Sequence, residues 1–190
     1  DVFDCFIGNK RASDYILERS MMRPRDVINF VNSCIKEADN SSRIDVSHII
    51  SAEETFRTER MLALCHEWKN VYKNLEHYLL SINGFGDNFT IKELLSHFTE
   101  IETHILSDSS SCDDYMQDIF SAPKTTNEHK IKELIKALFK VGLLGKKARD
   151  GSIHFSSTLR PDLIDIELTN ENVWVIHPLF KADCPLNLNM

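Results

Sequence analysis

Arg23-Pro24-Arg25-Asp26-Val27-Ile28-Asn29-Phe30-Val31-Asn32 reads as the start of a helix with two arginines at its entry. Proline suits the first helical positions because the N–H it lacks would be unpaired there, and Asp26 suits the positive end of the helix dipole. Val27, Ile28, Val31, Cys34, Ile35 and Ala38 then recur at helical spacing, so the helix is expected to run to about Ala38. Arg23 and Arg25 oppose the same dipole. Something anionic should compensate them: a local carboxylate such as Asp14, Glu18 or Asp26, or an anionic ligand or partner.

Outward from this stretch the helical grammar continues. A short segment from Ser13 to about Arg19 precedes it, and the turn formers Asp39-Asn40-Ser41-Ser42 follow it. Ser47 or Asp45 then caps a long helix whose apolar positions include Ile49, Ile50, Ala52, Phe56, Met61, Leu62, Leu64 and Cys65. Glu53, Glu54 and Glu59 interleave there with Arg57 and Arg60, a spacing that reads as a solvated face. The pattern can continue through Tyr72, Leu75, Tyr78 and Leu79, with a break near Trp68–Val71. Residues 10–82 therefore read as all helix.

Asn83-Gly84-Phe85-Gly86-Asp87-Asn88 is the clearest boundary, two glycines among turn formers. It suggests a helical domain over 1–82, a linker at 83–88 and a second domain over 89–190. Thr90 and Glu93 form a capping-box pattern, Ser107–Ser111 is a polar break, and Tyr115–Phe120 can form a short helix. Glu128 to Val141 is strongly amphipathic, with Ile131, Leu134, Ile135, Leu138 and Phe139 on its inner face. Beyond Gly142 a hairpin is expected from Lys146–Arg149 and Ser152–Ser156, turned by Asp150-Gly151. Leu163–Leu168 and Val173–Ile176 can supply further strands.

Length and composition bound the rest. The 190 residues allow one domain or two small ones, and 42% apolar content is ordinary for a globular chain. No apolar run approaches the ~20 residues needed to cross a bilayer, and no signal-peptide pattern opens the chain. Five cysteines, at 5, 34, 65, 112 and 184, are odd in number and widely spaced, which argues for a reducing cytoplasm and against disulfides or a zinc site. Cys34 and Cys65 read as small core residues. Net charge is −7, yet residues 124–149 carry 8 basic and 2 acidic groups.

Asp14-Tyr15-Ile16-Leu17-Glu18-Arg19 followed by Arg23-Pro24-Arg25-Asp26 resembles the helical lid of P-loop ATPases of the AAA+ and STAND type, at the sensor-2 helix. The closest pattern is that of a bacterial STAND-like family with a winged-helix tail. The resemblance implies that an arginine at the start of this helix reaches the terminal phosphates of ATP, Arg25 first and Arg23 second. No G-x-x-x-x-G-K-[ST] and no Walker-B acidic pair occurs, and the six glycines form no phosphate-cradling loop. The opening Asp1-Val2-Phe3-Asp4 enters without methionine, in mid-pattern. The expectation is a C-terminal piece of a longer ATPase, with ATP held by the P-loop domain of the parent and the piece not catalytic alone. Leu138-Phe139-Lys140-Val141-Gly142-Leu143-Leu144-Gly145 resembles the third helix of a winged-helix domain entering its wing, over roughly residues 89–157. The expected fold is thus mainly α, a lid-like helical bundle followed by a winged helix with a small β-hairpin.

Lys132, Lys136 and Lys140 sit four apart and line one helix face, with Lys130 and His129 beside them and Lys146, Lys147 and Arg149 on the wing arm. A lysine row suits phosphate contact rather than base readout, so the partner is a nucleic-acid backbone or a protein. An ordinary solvated face gives the same spacing. The eight histidines show no metal-ligand pattern, and no complete catalytic constellation appears. The reading is a cytoplasmic module that couples nucleotide state to a partner or DNA, working with its own ATPase domain and possible oligomers of the parent. The rivals are a non-enzymatic winged-helix interaction module and a small DNA-binding transcription regulator whose bundle dimerises.

Overall fold

Eight α-helices and six short strands make up the described residues of the computed structural model, which are 5–21, 23–107, 114–156 and 168–181. The protein is mainly helical, with small antiparallel sheets. It divides into two compact units: Asp1–Leu62 with Pro178–Met190, and Ala63–His177.

In the first unit, strands β1 (Phe6–Ile7) and β2 (Lys10–Arg11) make a two-stranded hairpin that leads into helix α1 (Ala12–Arg19). Helix α2 (Pro24–Glu37) begins as its sequence dictates: Arg23 is the N-cap in extended backbone, Pro24 opens the helix, and Ala38 is the C-cap. Helix α3 (Val46–Trp68) is opened by Asp45, whose Oδ1 accepts from the N–H groups of Ser47 at 3.0 Å and His48 at 3.2 Å. Phe30 and Phe56 are buried and stack with centroids 4.8 Å apart. Ile16, Cys34, Ile49, Ala52, Leu179 and Phe180 complete this core, the last two from a 3-10 turn at Pro178–Phe180.

The Glu/Arg spacing of α3 is a solvated face only at Glu54 and Glu59, which are exposed. Glu53, Arg57 and Arg60 are 7%, 5% and 6% exposed. Their partners come from other elements. Arg19 Nε donates to Glu53 Oε1 at 2.6 Å, the Tyr15 hydroxyl donates to the same carboxylate, and Arg57 Nε donates to the Leu179 carbonyl at 2.8 Å. Arg60 Nε lies 3.2 Å from Asp26 Oδ2. Burial demands such pairing, because an uncompensated charge inside costs several kcal/mol. Burial and the bond to Glu53 push the Tyr15 phenol well above its ordinary range, and burial pushes the Cys34 thiol up to about 11.

The long helix breaks where expected, near Trp68–Val71, and Leu75, Tyr78 and Leu79 lie on a separate helix. It ends at Trp68, whose carbonyl accepts from the N–H groups of Val71 and Tyr72, both at 2.8 Å, and α4 (Leu75–Leu80) starts separately. The expected boundary at 83–88 differs from the observed division. Leu75, Tyr78, Leu79 and Ile82 are fully buried, α4 packs on later helices of the second unit, and Phe85 sets its ring 5.2 Å from that of His97. The Gly/Asn run is therefore a loop within the second unit. Residues from Pro178 onward belong to the first.

In the second unit, strand β3 (Asn88–Thr90) leads into α5 (Ile91–Ser96) through the expected capping box: Glu93 N donates to Thr90 Oγ1 at 3.2 Å, and Thr90 N to Glu93 Oε2 at 2.7 Å. Helices α6 (Phe98–Ser107), α7 (Tyr115–Ser121) and α8 (Asn127–Lys140) follow, then strands β4 (Leu144–Lys147), β5 (Ile153–Phe155) and β6 (Val173–Ile176). The sheet order is β3-β6-β4-β5, antiparallel throughout. The expected hairpin across Asp150-Gly151 is β4–β5, with Lys146 opposite His154. Helix α8 stops at Gly142, whose φ of 85° only glycine adopts freely; Gly142 N donates to Phe139 O and Leu143 N to Leu138 O, both at 2.9 Å. Gly145 is required for a different reason: a Cβ there would sit 2.6 Å from Ile153 Cγ2.

Asp114 is the polar hub of this unit. Fully buried at the N-cap of α7, it accepts from Met116 N at 2.8 Å, Gln117 N at 3.2 Å, Asn74 N at 3.1 Å and the Tyr78 hydroxyl. The expected break at Ser107–Ser111 lies outside the described residues beyond Ser107, as do Leu163–Glu167 of the expected strand and Cys112 and Cys184. Cys5, Cys34 and Cys65 are free thiols.

Candidate functional site

Two places collect the candidate residues, one in each unit. In the first, α2 carries Pro24, Arg25 and Asp26 on its opening turn. Asp26 turns inward and meets Arg60, so a buried carboxylate answers the positive pole of the helix. Arg23, at the N-cap, is half-buried. Arg25 is exposed and has no hydrogen bond or ion pair among the described residues. The nearby acids are engaged elsewhere: Glu18 pairs with Lys10 at 2.5 Å and lies 4.0 Å from Arg19. Of the local carboxylates offered as partners for Arg25, Glu18 and Asp26 thus have other cations, and Asp14 is exposed and makes no ion pair with it among the described residues. Arg25 is an exposed cation on the opening turn of a helix.

In the second unit, Thr126 caps α8 by accepting from His129 N at 3.3 Å. The helix does not present the basic face as expected. Lys130 is buried: its Nζ donates to Glu102 Oε1 at 2.8 Å and to the Phe120 carbonyl at 2.5 Å, with the Phe98 ring centroid 5.5 Å away. It is a structural cation, removed from any external partner, because position 130 falls on the core side with Ile131 and Leu134. Lys132 is tied to Glu128 at 2.7 Å, and Lys136 to Glu133 at 2.6 Å. Lys140 Nζ lies 5.6 Å from the Trp68 ring centroid and is exposed. On the hairpin, Lys146 is half-buried opposite Trp174, while Lys147 and Arg149 are exposed.

Neutralisation therefore runs along most of the row. Partial burial pushes the Glu133 carboxyl up, but the bonds from Lys136 and from the Tyr115 hydroxyl, 3.0 Å away, outweigh it and hold Glu133 below the ordinary carboxylate range. Burial first, then the bond to Glu133, push the Tyr115 phenol up to about 12. Four cations remain on the surface, Lys136, Lys140, Lys147 and Arg149, and one of these is already paired.

Sequence reasoning missed Glu53, Arg57, Arg60, Asp114 and Lys130 as buried polar anchors. Their partners lie up to 122 residues away, and spacing along one helix carries no trace of them. Among the described residues no group of His, Cys, Asp and Glu could hold a metal ion, and no helix is long and apolar enough to cross a membrane.

Residues 1–65 match the family described as the FunZ-associated C-terminal helical domain. This stretch, holding α1, α2 and most of α3, is similar to a C-terminal helical domain. No curated protein and no solved structure matches the chain.

Proposed function

We propose that the chain is the non-catalytic C-terminal part of a P-loop ATPase of the STAND or AAA+ type, with a lid-like first unit and a winged-helix second unit. The single observation that carries this reading is the exposed place of Arg25 on the opening turn of α2. Arg19, Arg57 and Arg60 of the same unit are engaged inside it, whereas Arg25, like Arg11 and Arg43, stands exposed without a carboxylate among the described residues, and it alone of these lies on the first turn of α2. An arginine so held can add charge to the terminal phosphates of an ATP bound by another domain, and forked geometry makes it better suited than lysine. The match to a C-terminal helical domain over residues 1–65 supports the position of this unit at the end of a larger protein. For the second unit, the succession of helices ending in α8 and the β4–β5 hairpin supports the winged-helix reading.

The winged helix acts on a protein partner rather than on nucleic acid. Lys130 is interior, and Lys132 and Lys136 already hold glutamates, so few cations are left for the phosphate contacts on which nucleic-acid affinity rests. The test uses steady-state ATP turnover of the protein that joins this chain to a P-loop domain. Arg25→Ala lowers turnover by about tenfold or more, a loss of ~1.4 kcal/mol in transition-state stabilisation. Unchanged turnover in Arg25→Ala, with Arg23→Ala also silent, overturns the assignment.

A further inference from the structure

A cavity of about 230 Å³ opens in the second unit between α8, Tyr72, Tyr115 and β6. We propose that it binds a small, flat monoanion: one aromatic ring bearing a carboxylate. The proposal is independent of the ATPase reading and concerns a different part of the chain.

Three observations carry it. The walls are aromatic, with Tyr72 and Tyr115 set edge to face at 6.0 Å on one side and Phe139 and Trp174 at 5.7 Å on the other. Aromatic rings favour another ring in edge-to-face or offset packing, worth ~0.5–1.5 kcal/mol beyond burial. The volume falls below the ~300–1,000 Å³ of pockets for drug-sized ligands, so one ring is the natural load.

The second observation is charge. Lys136 and Lys140, one turn apart on α8, both line the cavity, and Glu133 is the acid beside them. Glu133 already accepts from Lys136 Nζ and the Tyr115 hydroxyl. Lys140 has no carboxylate partner among the described residues and touches only the face of Trp68. One net positive charge is left over, which fits a monoanion and disfavours a cation or a dianion.

The third is a buried donor. Trp174 is fully buried in the cavity wall, and its Nε1–H has no acceptor among the described residues. An indole N–H normally finds a partner when buried, and leaving one unmade costs ~1–3 kcal/mol. With under 1 Å² of accessible surface, this N–H meets a carboxylate in the cavity only when the indole ring turns toward it.

The same chemistry is carried by a free aryl carboxylate and by a peptide that ends in an aromatic residue. Calorimetric titration of the intact chain with benzoate, benzamide, acetate and N-acetyl-phenylalanine separates them. Benzoate should bind saturably, with Kd near or below ~1 mM, while benzamide and acetate bind at least ~10-fold more weakly, since each lacks one half of the recognised group. Tighter binding of N-acetyl-phenylalanine than of benzoate assigns the site to a peptide terminus, and the reverse order assigns it to a free acid. Lys140→Met, a surface change that should leave folding intact, should weaken benzoate by about tenfold. Arg25→Ala should leave it unchanged, so failure here and failure of the ATPase reading are distinct. The two tryptophans of the chain both lie at or beside the site, and the Trp174 Nε1–H resonance should move with benzoate and stay in place with benzamide. No saturable benzoate binding, equal binding of benzoate and benzamide, or no effect of Lys140→Met overturns the proposal.

Discussion

The first unit keeps its long-range cations inside, whereas the second displays more of its own. Arg19, Arg57 and Arg60 reach a carboxylate or carbonyl on another element, and Arg57 and Arg60 are almost wholly buried. On α8, Lys136 and Lys140 stay at the surface and Lys132 is half-buried, and the three meet only neighbours on the same helix or the Trp68 ring. Lys130 is the exception that shows what decides: it points to the core side, and there it acquires Glu102 and the Phe120 carbonyl. Burial, rather than charge, separates structural cations from available ones. In the first unit Arg11, Arg25 and Arg43 are the arginines left exposed, and of these Arg11 and Arg25 stand at helix starts.

The largest expected effect tests that contrast directly. Arg60→Ala strands the nearly buried Asp26 carboxylate and should cost ~3–5 kcal/mol of stability, read from urea denaturation. Asp114→Ala should cost a similar ~3–5 kcal/mol, because four donors lose a buried acceptor. Lys136→Ala, at an exposed intrahelical pair, should stay within ~0.5 kcal/mol. A loss at Lys136 equal to that at Arg60 would break the comparison.

A second test is alkaline. All four tyrosines, 15, 72, 78 and 115, are pushed above the ordinary phenol range, by burial first. Their protonated form is favoured in the folded state. That contribution is fully present below the unfolded value near 10 and is lost as pH rises through the folded values, which for Tyr115 is about 12. Absorbance at 295 nm should therefore show little phenolate at pH 10 in the folded chain, and ionisation should come with unfolding. Free titration of several tyrosines at pH 10 in folded protein would contradict the burial described.

A smaller effect concerns nucleic acid. At ~50 mM salt the chain should show no tight binding to duplex DNA, and Lys132→Glu, Lys136→Glu and Lys140→Glu together should change little, because two of the three lysines already hold glutamates. Steeply salt-dependent binding that the triple variant abolishes would return the second unit to a nucleic-acid role.

The local parts of this structure were legible in the sequence and the distant ones were not. Pro24 and Ala38 bracketed α2, Thr90 and Glu93 declared their capping box, and Asp150-Gly151 declared its hairpin, since each signal is complete within a few residues. The Glu and Arg of α3 misled at Glu53, Arg57 and Arg60, though not at the exposed Glu54 and Glu59, because spacing reports which residues share a face, not what that face meets. Tyr15, Asp26 and Leu179 had to be folded into place before it became interior. The turn-rich run at 83–88 misled likewise: composition marks a loop, and only the packing of Phe85 and the pairing of Asn88 with Val175 show that the loop is internal to a unit. For the site, Arg25 was visible in its motif, whereas the cavity depends on β6 meeting α8 and left no local pattern.

Arginine-selective modification by phenylglyoxal, followed by peptide mass spectrometry, tests the central claim most directly in the protein that joins this chain to a P-loop domain. Without nucleotide, Arg25 should react readily, while Arg57 and Arg60 stay unreactive in the folded protein. With a non-hydrolysable ATP analogue and magnesium, Arg25 should become protected and the exposed Arg149 should not. Equal labelling of Arg25 with and without the analogue would contradict the account.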